Sequence, residues 1–170
     1  MQMKSNFTFD KDLSYTWKIT ISGVVMALYI ILMYITQGFA FGQYQIRIAT
    51  SLYALSAIYP FLIIPMGISN LLSNALMGGL GILDMAGGLI VGIITTTAVY
   101  IIKRLNLNDL FIALPIIFGP GLIVPIWLST ILNIPYKLLA ISLCIGQIIP
   151  GIVGVILVKQ LRYKLQHNSL

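Results

Sequence analysis

The stretch that decides the fold is Ile48-Ala-Thr-Ser-Leu-Tyr-Ala-Leu-Ser-Ala-Ile-Tyr-Pro60-Phe-Leu-Ile-Ile-Pro65-Met-Gly-Ile-Ser-Asn70-Leu-Leu-Ser-Asn-Ala-Leu-Met77. It reads either as one kinked helix or as two short segments parted at Pro60, and the number of membrane crossings turns on that choice. That the surroundings are hydrocarbon follows from composition. Hydrophobic residues make up 59% of the 170-residue chain and charged residues 8%, and glutamate is absent altogether. A soluble domain of this size does not have that composition.

Outward from the stretch, the apolar runs are Ile19 to Ile35, Ile48 to Tyr59, Phe61 to Met77, Met85 to Ile102, Leu110 to Leu132 and Leu138 to Val158. Each must satisfy its own backbone hydrogen bonds in lipid, so all six read as helices, and internal Pro and Gly are ordinary there. Charge resolves the count. With six spans, Lys4, Lys11, Lys18, Lys103, Arg104, Lys159, Arg162 and Lys164 fall on one face, which is eight of the ten Lys and Arg. The positive-inside rule makes that face cytoplasmic. With five spans, the Lys103-Arg104 turn and the N-terminus would lie on opposite sides. The expectation is an all-α integral membrane protein, a six-transmembrane-helix bundle with both termini cytoplasmic. Its parts are a segment over 1–18, a membrane domain over 19–158 and a cytoplasmic tail over 159–170. The 1–18 segment carries Asp10, Lys11 and Asp12 and lacks the apolar core of a signal peptide, so the first span is expected to stay in the membrane.

The net charge of +6 sits at the ends of apolar runs and not in a stripe with aromatics, which argues against nucleic acid as a partner. Cys144 is a lone cysteine in an apolar run and His167 has no partner pattern, so neither a disulfide nor a metal site is expected. The chain has no P-loop, nucleophile triad, zinc-ligand spacing or paired carboxylates. It reads as no enzyme and needs no cofactor, and any ATP-driven step belongs to another chain.

Within the six-span topology the uncommon polar residues gather towards the external half. Arg47 lies between two apolar segments, and an ionisable residue in such a place is a functional-site hypothesis by default. Thr50 follows it by three residues on one helix face, and Asn70 and Asn74 share another face four apart. Asp84 enters the fourth segment from outside, Gln147 lies about nine residues into the sixth, and Gln45 adjoins Arg47. Such a cluster suits capture of a small polar molecule. The structural alternatives are that Arg47 snorkels to the headgroups, that Asp84 caps its helix or neutralises Arg47, and that the asparagines are interhelical glue. Gly23 and Ala27 on the first span, and Gly88 and Gly92 on the fourth, are spaced for close helix approach. By spacing alone this is more simply internal packing than a partner surface.

The chain resembles the substrate-binding S components of energy-coupling factor (ECF) transporters, and among them the QueT family. The residues that carry the likeness are Ala27-Leu28-Tyr29, Gln45-Ile46-Arg47-Ile48-Ala49-Thr50-Ser51-Leu52, Ser73-Asn74 and Asp84-Met85-Ala86-Gly87-Gly88. The resemblance implies a six-helix protein that captures a vitamin or vitamin-like precursor outside. It also implies docking through the first helices, where Gly23 and Ala27 fall, on a transmembrane T component that sits on two ATPase subunits. For QueT the implied substrate is a queuosine precursor, a deazaguanine base, whose edges suit Asn and Gln amides. Two departures stand out: Thr50 and Gln147 occupy positions where family-like sequences carry glutamate, so either Asp84, the one carboxylate left in the external half, takes the cationic aminomethyl group, or the ligand is a different and less cationic molecule. The rival readings are a carrier of another vitamin precursor and a non-transport membrane scaffold or assembly subunit.

Overall fold

A computed structural model describes residues 13–42, 44–78 and 80–167. Lys4, Lys11 and most of the 1–18 segment therefore lie outside the described residues, as do positions 168–170 of the tail. The described residues are helical, with no strand among them. The long elements are α1 (Tyr15–Ile35), α3 (Ile63–Ser73), α4 (Ile82–Arg104), α5 (Ala113–Leu132), α6 (Tyr136–Gly146) and α7 (Ile148–His167), with a short α2 (Gln37–Ala40) after α1. Five stretches are long and apolar enough to cross a membrane: Tyr15–Ile35, Pro60–Gly78, Ile82–Arg104, Asp109–Leu132 and Tyr136–Leu165.

The remaining apolar segment departs from the expected α-helix. Ile48–Ala57 forms a 3-10 helix of ten residues, and every residue from Ala49 to Ala57 is buried. A 3-10 helix rises about 2 Å per residue against 1.5 Å for an α-helix. The tighter winding thus carries a short segment farther through the bundle, at a cost in hydrogen-bond geometry that packing on all sides offsets. The segment runs beside α1, α4 and α7 as a central strut. Tyr53 stacks on Tyr29 of α1 at 5.8 Å between ring centroids. Ser56 donates to the Thr96 carbonyl of α4 at 2.9 Å, and Gly154 of α7 lies against Ala54 and the Ser51 carbonyl.

Contacts give the running directions. Gly67 of α3 meets Gly92 of α4 while Asn74 meets Gly88, so these helices are antiparallel. Trp127 lies on Gly87 and Thr95 on Gly119, which makes α5 antiparallel to α4. Gly151 lies against Ala113 and Ile117, and Arg162 reaches Asp109, which sets α7 antiparallel to α5. Asp109 also accepts from Lys103 at 2.5 Å, tying the ends of α4, α5 and α7 together.

The last apolar segment, expected as one helix, breaks at Gln147. Pro150 has no N–H to give the Gly146 carbonyl, so one rung of the helix is missing there. The helix then continues to His167, beyond the expected end of the membrane segment. Apolar side chains such as Val24, Ile31, Ile90, Phe118, Ile126 and Ile152 face outward, as a lipid-facing surface requires. Tyr15, Trp17 and Tyr163 ring the charged end, and Tyr34, Phe39 and Tyr136 the other, all exposed, the placement of interfacial aromatics.

Candidate functional site

Arg47 ends the loop after α2 and caps the 3-10 helix. It is 4% exposed, so it does not snorkel. Its Nε donates to the Ala40 carbonyl at 3.3 Å, and its Nη1 to Asn70 Oδ1 at 3.2 Å and Asn74 Oδ1 at 3.1 Å. The guanidinium carbon lies 4.9 Å from the centre of the Phe41 ring, a cation–π contact that stabilises a desolvated cation. The four-residue spacing of the two asparagines brings both amides to one guanidinium nitrogen.

Each asparagine passes the network on. Asn70 Nδ2 donates to Tyr53 Oη at 2.9 Å, and Tyr53 Oη lies 3.3 Å from Tyr29 Oη. Asn74 Nδ2 donates to the Asp84 main-chain carbonyl at 2.9 Å. Gly88 makes room for this pair: a Cβ there would lie 2.7 Å from Asn74 Nδ2 and 3.1 Å from Asn70 Oδ1. Asn74 opens a π-helical turn, Asn74–Gly78, which terminates the third segment.

The alternative in which Asp84 neutralises Arg47 directly is not realised: the Asn74 amide stands between the two residues. Asp84 instead holds the Trp127 indole, whose Nε1 donates to Oδ1 at 3.1 Å. Asp84 is 2% exposed, and its Oδ2 is buried and accepts no hydrogen bond from any described residue. A desolvated carboxylate oxygen without a donor is costly, so this atom calls for a partner.

Thr50 and Gln147, the two departures from the family-like pattern, meet each other. Thr50 Oγ1 lies 2.7 Å from both the Arg47 carbonyl and Gln147 Oε1, and Gln147 Nε2 donates to the Gln45 carbonyl at 2.8 Å. Gln45 has φ 44°, a left-handed conformation that costs an L residue about 1–2 kcal/mol. Gln147 and the close seat of Gly146 against the Tyr44 carbonyl hold that loop in place.

A cavity of about 620 Å³ opens beside this cluster, at the end of the bundle that carries the α5–α6 turn. Phe41, Tyr44, Gln45 and Gly78 form one wall, and Leu132, Leu138 and Ser142 belong to the other. Of the polar residues singled out from the sequence only Gln45 lines it. Arg47, Thr50, Asn70, Asn74, Asp84 and Gln147 are buried behind that wall. Phe41, Tyr44, Tyr53 and Trp127 were not legible as partners. The adjacent Gly87-Gly88, which lets an indole and two amides lie against α4, is the sequence signal that could have pointed to them.

The two small-residue motifs separate. Gly92 is packed on Gly67, with a Cβ there 2.7 Å from the Gly67 Cα, whereas a Cβ on Gly23 would meet nothing within 4 Å. Gly23 and Ala27 lie on the exposed face of α1, so internal packing does not account for that motif.

No curated protein and no solved structure matches the chain. A family model described as the QueT transporter matches residues 19–163. With multiple membrane-spanning helices and a match over most of its length, the chain is a multi-pass membrane protein and belongs to the QueT transporter family.

Proposed function

We propose that the chain is the substrate-binding S component of an ECF-type importer and captures a queuosine precursor, a base of the deazaguanine type, at its external face. One observation carries the reading: a buried Arg47–Asn70–Asn74–Asp84 network ends in a carboxylate oxygen without a donor, directly behind the wall of a 620 Å³ cavity. Phe41 and Tyr44 offer aromatic faces and Gln45 an amide to a planar base. The network fixes the rear of the wall, so the site is formed before the ligand arrives.

In this reading the second apolar segment completes six crossings. The antiparallel registers, with Lys18 over the Phe61 ring, support a basic end carrying Lys18, Lys103, Arg104 and Arg162, cytoplasmic in this proposal, and a cavity at the opposite end. Gly23 and Ala27 face outward and allow another helix to approach closely, which suits docking on a T component bound to two ATPases. In this proposal Phe41, Tyr44 and Gln45 line the substrate site, and Arg47, Thr50, Asn70, Asn74, Asp84 and Gln147, with Trp127, form the buried network that holds its wall.

The test is direct. The protein, purified in mild detergent, is expected to retain or bind a deazaguanine base saturably, with the mass of that base found by mass spectrometry after denaturation. Co-expression with a T component and ATPases is expected to confer uptake. No binding of any deazaguanine base would favour another substrate. Binding without any T-component association would separate the capture role from the ECF role.

A further inference from the structure

The cavity is lined mainly by apolar side chains, so the few polar ones on its walls stand out. Gln45 is one of them, and it is 7% exposed. Its backbone is pinned on both sides: the N–H donates to the Gly42 carbonyl at 3.0 Å, and the carbonyl accepts from Gln147 Nε2 at 2.8 Å. Its side-chain amide, by contrast, has no hydrogen-bond partner among the described residues, and neither polar atom is sealed in. Ser142 of α6 is another. It belongs to the facing wall, and its hydroxyl likewise has no partner among the described residues. Ser69, Thr96 and Thr130 each donate to a carbonyl of the preceding turn, the usual outlet for a helical hydroxyl; Ser142 does not. The register of α6 brings the two groups to one place. Gly146 seats so closely on the Tyr44 carbonyl that a Cβ there would overlap it. Ser142 lies four residues before Gly146, on the same helix face and about 6 Å nearer the α5–α6 turn. We propose that Gln45 and Ser142 form a two-sided polar clamp: the Gln45 amide pairs with the adjacent N–H and C=O of a cyclic lactam, and the Ser142 hydroxyl bonds a second polar atom of the same ring system.

The chemistry of the two groups sets the ligand class. A primary amide presents an acceptor and donors side by side, the complement of a lactam edge, so one side chain can make two hydrogen bonds to it. Phe41, Leu128, Leu132 and Leu139 offer apolar faces to a flat ring. The φ of 44° at Gln45 is uncommon for a residue other than glycine, and backbone strain of this kind collects at ligand clamps. Here the Thr50–Gln147 pair sustains it. Thr50 Oγ1 holds Gln147 Oε1, which leaves Gln147 Nε2 directed at the Gln45 carbonyl. Thr50 and Gln147 are thus positioning residues for Gln45, buried behind the wall that it forms.

This inference rests on the substrate reading above, and one experiment separates the two. Titration calorimetry on the purified chain would use a deazaguanine base and the same base methylated on the lactam nitrogen. Wild type is expected to bind the methylated base about tenfold more weakly, having lost one donor. Gln45→Asn keeps an amide and suits a left-handed backbone, but withdraws the amide by one methylene. Its melting temperature is expected to match wild type, its affinity for the parent base to fall about tenfold, and the methylation penalty to shrink to about twofold or less. Gln147→Met releases the loop and is expected to shrink the same penalty, which a merely structural role would leave in place. Ser142→Ala removes a hydroxyl that no described residue uses, so stability is expected to hold. Its parent-base affinity is expected to fall roughly fivefold with the methylation penalty intact, since the two contacts are separate. Equal binding of the two bases by wild type, a full penalty in folded Gln45→Asn, or full affinity in Ser142→Ala overturns the clamp and leaves the substrate reading standing. A full penalty in folded Gln147→Met overturns the positioning role of Thr50 and Gln147. Failure of wild type to bind either base overturns both the clamp and the substrate reading.

Discussion

At the residue scale, a cation and an anion are kept in a bundle of hydrocarbon by giving each its own set of partners. Arg47 has three donor contacts and an aromatic face, so its burial is offset without an ion pair. Arg47→Met would leave Asn70 Oδ1 and Asn74 Oδ1 facing an apolar chain, at about 1–3 kcal/mol for each unsatisfied acceptor. The melting temperature in detergent is expected to fall by roughly 5 °C or more, and a differential scanning trace unchanged from wild type would contradict this account. Trp127→Phe removes only the indole donor to Asp84 Oδ1 while keeping an aromatic ring on Gly87. A hydrogen bond to a charged group is worth about 1.5–3 kcal/mol. Loss of that donor is expected to lower the melting temperature in detergent by several degrees, and a scanning trace matching wild type would contradict it.

At the element scale, two helix faces with the same small-residue spacing do different things. On α4, Gly92 touches the backbone of α3 at Gly67. Gly92→Ala has to push two helices apart, and overpacking of this kind costs about 1–3 kcal/mol. A lower melting temperature and reduced yield of folded protein are expected. On α1, Gly23→Leu meets no neighbour within the chain. Its melting temperature and base affinity are expected to match wild type, with uptake by cells that supply the T component and ATPases reduced several-fold. Loss of stability on Gly23→Leu, or full uptake, would remove the docking role from this face. The 3-10 strut Ile48–Ala57 belongs to the same scale: it links Tyr29 on α1 to Asn70 and Arg47 through Tyr53.

At the scale of the whole molecule, the basic residues and the cavity lie at opposite ends of one bundle. Lys103 and Arg162 share Asp109 at the charged end, whereas the turn between α5 and α6 borders the cavity. In a Cys144→Ser background, Leu107→Cys is expected to resist a membrane-impermeant maleimide applied to intact cells, and Ile134→Cys to react with it. Both positions are exposed, so reactivity depends on the side of the membrane. The reverse labelling pattern would invert the topology, and labelling of both from outside would remove the second crossing.

What the sequence determined by itself was the class of the molecule and which of its polar residues stand out. Long apolar runs closed by Lys and Arg leave a chain few choices of solvent, and polar residues as sparse as Arg47, Asn70, Asn74 and Asp84 stand out against them. Spacing also foretold that Asn70 and Asn74 would act together, since helix periodicity is local. Tertiary structure decided the rest, because those outcomes depend on groups distant in sequence. Only packing on all sides holds Ile48–Ala57 as a 3-10 helix instead of an α-helix. Only the approach of α5 gives Asp84 the Trp127 indole, and only the position of Asn74 keeps Arg47 and Asp84 from pairing. The same spacing of small residues is buried on α4 and exposed on α1, because spacing fixes which residues share a face, and the neighbouring helices decide what that face meets.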